Sequence, residues 1–349
     1  NANNLGGGMY FSGSNPTILE VSVIGNTAVN YGGGMSMVGS SPDITNLTIN
    51  GNFADGGGGM YLNNSNPTLS GVTFLGNFAI TSGGGIHLYN SNPNFSDVNI
   101  LYNSANKGGG IYLQNSNEIS GVTISGNYAS SQGGGIYLWN SNPTISDVIF
   151  DDNIAEIGGG MFLIGSSPSI SNITMTNNSQ GGVYNSSGNP TIFNSNILLN
   201  SFGLFNNNNS NILALENNYW GHSSGPYHPT QNPSGQGDST NQWVNVDPWL
   251  TTPNTDAPPI PAQNTTVTGT GNDFISLKWD TSPLGDLAGY KLYYDSDSSG
   301  YPYANSVDIG TDTSYILSSL TLGTTYYLAV TTYDTDGNES WYSNEVTGT

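Results

Sequence analysis

The sequence predicts an all-β chain, a parallel β-helix with coils of about 25 residues followed by a β-sandwich. Three observations carry that expectation. A glycine-rich phrase returns at a constant interval: GGGMYLNNSNPTLSGV from Gly57, GGGIHLYNSNPNFSDV from Gly83, GGGIYLQNSNEISGV from Gly108 and GGGIYLWNSNPTISDV from Gly133. An Asn-x-Ala element keeps the same interval ahead of it. Short apolar stretches of period two fill the space between, too short for helices and rich in β-branched residues. A catalytic motif occurs once, whereas a phrase repeated down the chain is architecture.

Each element of the coil has a physical reason. The leading asparagine falls at Asn26, Asn52, Asn77, Asn103, Asn127 and Asn153, where stacked amides can hydrogen-bond along the axis. The alanine falls at Ala28, Ala54, Ala79, Ala105, Ala129 and Ala155, with Ala2 opening the series, and suits a narrow interior. The glycines tolerate positive φ and tight bends. In the strand that follows, Met60, Ile111, Ile136 and Met161 point inward beside Leu62, Leu113, Leu138 and Leu163. Proline then fixes the Ser/Asn-Pro turn. Two further short strands, of the type Pro-Thr-Ile and Val-Thr-Ile, complete three per coil. Successive coils should hydrogen-bond at about 4.8 Å.

This pattern resembles the right-handed parallel β-helix repeats of large bacterial surface proteins, from Asn1 to about Phe205. Its Gly-Gly-Gly-Ile phrase is similar to repeats of polymorphic outer-membrane autotransporter passengers. The boundaries expected are 1–205 for the repeats and 206–250 for a closing cap. The cap segment, with Asn-x-Trp-Gly and Val-Asp-Pro-Trp-Leu, resembles the end of many bacterial β-helix proteins, and Trp220, Trp243 and Trp249 suit a covering role. His222 and His228 lie there too and are read as structural. A proline-rich linker at 251–262 follows. Residues 263–349 resemble a fibronectin type III domain through Trp279, the GYKLYY strand at Gly289, Leu320 and Tyr326. Its acidic loops, with Asp295 and Asp297 and with Asp334, Asp336, Asn338 and Glu339, offer at most weak calcium binding, because EF-hand spacing is absent. No other metal or cofactor is expected.

Charge narrows the partners. Twenty-four acidic residues oppose three lysines, Lys107, Lys278 and Lys291, for a net charge of −21. Phosphate binding needs cations, so nucleic acid and anionic membranes are not expected as partners. Cysteine is absent and no apolar run spans a bilayer. The chain starts at Asn1 inside a coil, which implies a removed leader or a longer parent chain. Gly6, Met9 and Phe11 would then form an open edge that recruits a neighbour.

Two chemistries can be weighed. A uronate lyase needs cations that the repeats lack, Lys107 aside. An inverting hydrolase needs carboxyls about 6.5–9.5 Å apart. Asp97 and Asp147 occupy equivalent positions two coils apart, about 9.6 Å by strand spacing. Both also read as turn residues, as Asn46 and Asn172 do. Alternation turns Tyr61, His87, Tyr89, Tyr112, Tyr137, Trp139 and Phe162 outward, and an exposed stripe there would suit a protein surface or sugar rings. The expectation is an extracellular or cell-surface structural and adhesive protein, not an enzyme, that polymerises head to tail. Cell-surface glycans are the alternative ligand.

Overall fold

The computed structural model describes residues 4–116 and 118–349; Ala2 lies outside the described residues. Two compact units divide the chain, Asn1–Ala257 and Pro258–Thr349.

In the first unit, side chains that recur once per coil meet their equivalents in register. One sheet has nine parallel strands, from Met9–Ser12 through Met60–Asn63 and Ile136–Trp139 to Leu204–Asn206. Ile111 pairs with Ile136 and Leu113 with Leu138, and the next coil continues with Met161 and Leu163. All are fully buried, as expected of inward positions. Each such burial is worth about 1.5–3 kcal/mol.

The second sheet departs from the expectation. The stretches read as two short strands form one strand of eight residues, as in Thr68–Leu75 and Thr144–Asp151. A left-handed residue sits in its middle, Glu20 (φ 53°), Asn46 (φ 52°), Asp97 (φ 53°) or Asp147 (φ 56°), whereas Asn172 (φ 50°) parts two three-residue strands, Ser169–Ser171 and Thr174–Thr176. Pairing skips that residue and resumes beyond it, Ser120 with Ser146 and then Val122 with Val148. One αL residue therefore bends the strand without ending its ladder. The third strand instead comes from the Asn-x-Ala segment: Phe53–Gly56, Phe78–Ser82, Ser104–Lys107, Tyr128–Gln132 and Ile154–Ile157. Ala54, Ala79 and Ala129 are its fully buried residues.

The triple glycine has two separate causes. Gly57 is left-handed at φ 61°, which favours glycine. Gly58 and Gly59 are needed for closeness: an added Cβ would lie 2.4 Å from the Phe78 carbonyl oxygen and 2.6 Å from that of Gly85.

The asparagines form a directed column. The backbone N–H and the Nδ2 of Asn52 both donate to Oδ1 of Asn77, at 3.0 and 2.9 Å. The same pair of bonds links Asn77 to Asn103, Asn103 to Asn127, and Asn127 to Asn153. The column runs on through Asn178 to Asn200. There the acceptor changes: Asn200 donates from its backbone and side chain to Oδ2 of Asp238, at 3.0 and 2.8 Å.

The closing segment extends the core. Trp220 is fully buried and Trp249 packs against the core, while Trp243 is half-buried. The stretch expected as a linker divides between the units. Asn254 hydrogen-bonds to Asn196 in the solenoid, whereas Ile260 is buried and accepts from the Thr332 hydroxyl. The second unit pairs a three-stranded with a four-stranded antiparallel sheet around Trp279, Tyr290, Leu292, Leu328 and Val330. Leu320 and Tyr326 pack against that core.

The column's polarity predicts an asymmetry between two substitutions. Asn127→Asp removes the donor to Asn153 Oδ1 and Ile100 O and buries an unpaired charge, so it should cost about 3 kcal/mol or more. Asp238→Asn keeps the acceptor and should change stability at neutral pH by about 1 kcal/mol or less. Thermal unfolding of both variants checks the ordering.

Candidate functional site

The outward rings are not an exposed patch. Tyr61, His87, Tyr112, Tyr137 and Phe162 are all buried, Phe162 to 3% exposure. Alternation gives the direction correctly but not the cover. The glycine turn folds the end of the third-sheet strand back over these rings. Thus Ser82 Oγ lies 3.0 Å from His87 Nδ1, and Lys107 Nζ lies 5.3 Å from the centre of the Tyr137 ring. The rings stack on each other from coil to coil, Tyr112 on Tyr137 at 5.1 Å, Tyr137 on Phe162 at 5.3 Å and Phe162 on Tyr184 at 5.5 Å. They form a second, smaller core outside the main core of the solenoid. Burial, with Tyr31 and Tyr89 nearby, pushes the Tyr61 hydroxyl up to about 12, and burial lowers His87 to about 4. Of the predicted stripe, Trp139 is 41% exposed and Tyr89 is half-buried.

Exposed apolar side chains sit on a different sheet. Phe53, Phe78, Tyr128 and Ile154 line the outer face of the third sheet, with Val29 and Ile80 beside them. The signal was present in the sequence: each of the four follows the column asparagine directly. Phe53 and Phe78 stack at 5.5 Å with planes only 10° apart. Where the third sheet ends, Tyr128, Ala129, Ile154, Ala155, Glu156 and Gln180 line an open groove of about 420 Å³.

The carboxylates sort by backbone. Asp97 and Asp147 are exposed and occupy the left-handed bend that asparagine or glycine fills in other coils. The Asp147 carboxylate accepts from Ser120 Oγ at a long 3.5 Å, and the Asp147 backbone N–H donates to the Asn172 carbonyl. Asp151 is buried, and its Oδ1 accepts from the Thr176 hydroxyl at 2.6 Å and from Asn177 at 3.0 Å. Burial raises Asp151 to about 6, and raises Asp238 likewise to about 6. His228 is held by the Val244 carbonyl and by the N–H of Gln231, and His222 accepts from the Ser224 N–H, which makes both structural.

At the first coil, the strand Met9–Ser12 pairs on one side with Met35–Val38. Met9 and Phe11 are half-buried against the core, and Gly6 is left-handed at φ 64°.

In the second unit, the acidic loops satisfy their own carboxylates. Asp295 accepts from the N–H groups of Ser296 and Ala304, at 2.7 and 2.8 Å. Asp334 accepts from Asn338 N–H and Nδ2 and from the Asp336 N–H. Among the described residues no group of three or more histidine, aspartate or glutamate side chains could hold a metal. Glu339 is instead the hub of a surface network: Oε1 accepts from the hydroxyls of Tyr293 and Thr331, and Oε2 from Lys291 Nζ at 2.7 Å.

Buried His87 gives a signed pH prediction. Its folded pKa of about 4 lies below the unfolded 6.5, so its neutral form supports the fold above pH 6.5 and that support fades as pH falls towards 4. Asp151 and Asp238 act oppositely: raised from 3.8 to about 6, they favour the fold as pH drops through that window. His87→Phe keeps the ring column and removes the first effect. Relative to the natural protein, it should gain about 2 kcal/mol between pH 7 and pH 5, read as a difference in unfolding midpoint.

Comparison with known proteins agrees with this geometry. The family described as a right handed beta helix region matches residues 2–145 and 84–234. The fibronectin type III domain description matches residues 258–349. No curated protein matches the chain. Among solved structures, the fibronectin type III domain of human fibronectin type III domain containing protein 3 is similar at 27% identity, covering 26% of this chain and 85% of that one, with a TM-score of 0.23. A Fn3-like protein from Clostridium thermocellum is similar at 23% identity, covering 26% of this chain and 92% of that one, with a TM-score of 0.23. The chain thus belongs to the right-handed parallel β-helix family and carries a fibronectin type III-like domain after its solenoid.

Proposed function

We propose that this chain is an extracellular structural and adhesive protein without a catalytic role. The solenoid supplies reach, the fibronectin-like domain supplies contact, and copies associate head to tail into a filament or surface array. One observation carries the reading. From Asn26 to Asp238, the column of interior amides and its terminal carboxylate is committed to holding coil on coil. The likeness of the Gly-Gly-Gly-Ile phrase to autotransporter passenger repeats supports a surface location. For self-association, support comes from Met9 and Phe11, half-buried at the last strand of their sheet among the described residues. An exposed strand edge is a template for another chain, and a head-to-tail contact propagates unless the rotation closes it.

Ring geometry favours protein contact over sugar. Phe53 and Phe78 stack face to face, so they turn edges outward where a pyranose would need a flat face. As for hydrolysis, Asp97 and Asp147 fill a left-handed bend that Asn46, Gly71, Gly121 and Asn172 fill in other coils, which supports a backbone role for both.

Electron microscopy of the purified protein should show filaments, lost in a Phe11→Glu variant. Isolated rods at high concentration, or upstream residues of the same chain lying against Gly6 to Phe11, would overturn the head-to-tail contact. A panel of neutral and acidic glycans should release no reducing sugar. Robust release abolished by Asp147→Ala would overturn the non-catalytic reading.

A further inference from the structure

The second unit carries the same carboxylate arrangement twice, once with a cation and once without. In the first copy, Glu339 has one oxygen anchored by two neutral donors, the hydroxyls of Tyr293 at 2.7 Å and Thr331 at 2.6 Å. Its other oxygen accepts from the Lys291 ammonium at 2.7 Å, and that ammonium lies 5.3 Å from the centre of the Tyr333 ring. In the second copy, Glu345 also has one oxygen anchored by two neutral donors, the Gly300 N–H at 2.6 Å and the Tyr303 hydroxyl at 2.7 Å. Both bonds end on Oε2. The residue is only half-buried, Oε1 has no hydrogen bond among the described residues and is not among the polar atoms closed off from solvent, and Lys291–Glu339 is the one ion pair among the described residues.

Rings border the second copy as they do the first. Tyr303 stands 5.2 Å from Tyr342, which meets Trp341 at 4.9 Å, and Trp341 meets Tyr301 at 5.4 Å. Of these rings Trp341 is buried and Tyr301, Tyr303 and Tyr342 are half-buried; they are separate from the main core cluster around Tyr290 and share a face with Tyr293. Aromatic faces and a fixed carboxylate are the two features that recognise a cation. The field points the same way: residues 258–349 hold eleven acidic side chains against Lys278 and Lys291.

We propose that Glu345 and the rings around Tyr303 receive a lysine side chain from a different polypeptide. Lysine is favoured over arginine by the free valence of the site. A guanidinium prefers to engage both carboxylate oxygens, and Oε2 already holds two donors. A single open oxygen beside rings fits a compact ammonium, as Lys291 shows in the first copy. A second copy of this chain is a poor source, because Lys107 lies over the Tyr137 ring and Lys291 is paired, which leaves only Lys278. The inference rests on reading this domain as the contact module, but it is tested on a peptide in solution rather than on assembled material, so either can fail alone.

The test titrates the full chain with a fluorescent glycine–lysine repeat peptide and with its glycine–arginine equivalent, by polarisation at low salt. The lysine peptide should bind more tightly than the arginine one. Glu345→Gln keeps an acceptor for Gly300 and should weaken lysine binding about tenfold, the effect of losing one charge-assisted hydrogen bond. Asp312→Asn removes the same charge from an exposed turn and should weaken it less than about twofold, as screening of a remote surface charge implies. Unchanged melting of both variants establishes that they fold. Equal losses in the two variants, preference for the arginine peptide, or no binding of either peptide would each overturn the proposal.

Discussion

The structure of the solenoid depends on the asparagine column. Each rung joins a backbone N–H and a side-chain amide to the carbonyl of the next asparagine, in a place closed to water. Buried amides are costly when unpaired and useful when every member is satisfied. The column therefore fixes one point in every coil. What lies between two such points can vary in sequence only if the backbone returns to the same place. This accounts for the near-constant coil length, and for the glycines at the points where adjacent coils nearly touch.

Where the length changes, the architecture follows. Asn153 and Asn178 are 25 residues apart, but Asn178 and Asn200 only 22. The shortened coil keeps its rung and gives up its third-sheet strand, so that sheet ends at Ile154–Ile157. The open groove lies at that step. The column also explains where a carboxylate is allowed. Every rung donates in the same direction, so the amide dipoles add, and the end that presents N–H groups favours an anion as a helix N-terminus does. Asp238 stands at that end, where it needs only to accept. In the middle of the column the same side chain would have nothing to donate.

How much of this was legible in the sequence depends on the kind of pattern. Spacing of Asn and Ala gave the coil, and alternation gave the inward Ile, Leu and Met, because both are local and repeat often. The bend at Asp97 and Asp147 was legible as turn chemistry but not as the middle of one strand, since a left-handed residue can interrupt a ladder or merely bend it. Burial of the Tyr137 column was not legible. Alternation reports which way a side chain points, and what covers it is set by the glycine turn bringing residues five apart, such as Ser82 and His87, into contact. Asp238 was hidden for a different reason: it is 38 residues beyond Asn200, outside the period that revealed the other rungs.

The two units reach order by opposite routes, and this bears on where recognition can reside. In the solenoid, polar side chains face equivalents in the next coil, so each donor finds its acceptor by translation and few are left over. The sandwich has no translational partner. Its carboxylates are fixed singly, by neighbouring N–H and hydroxyl groups, as at Asp295, Glu339 and Glu345. A carboxylate held this way is rigid and still has a free oxygen wherever its donors converge on one atom. Repetition thus consumes hydrogen-bonding capacity in the rod, while irregular loops leave some of it oriented outward. Oriented polar groups of this kind therefore lie in the fibronectin-like unit, whereas the solenoid's exposed Phe53, Phe78, Tyr128 and Ile154 offer mainly apolar area.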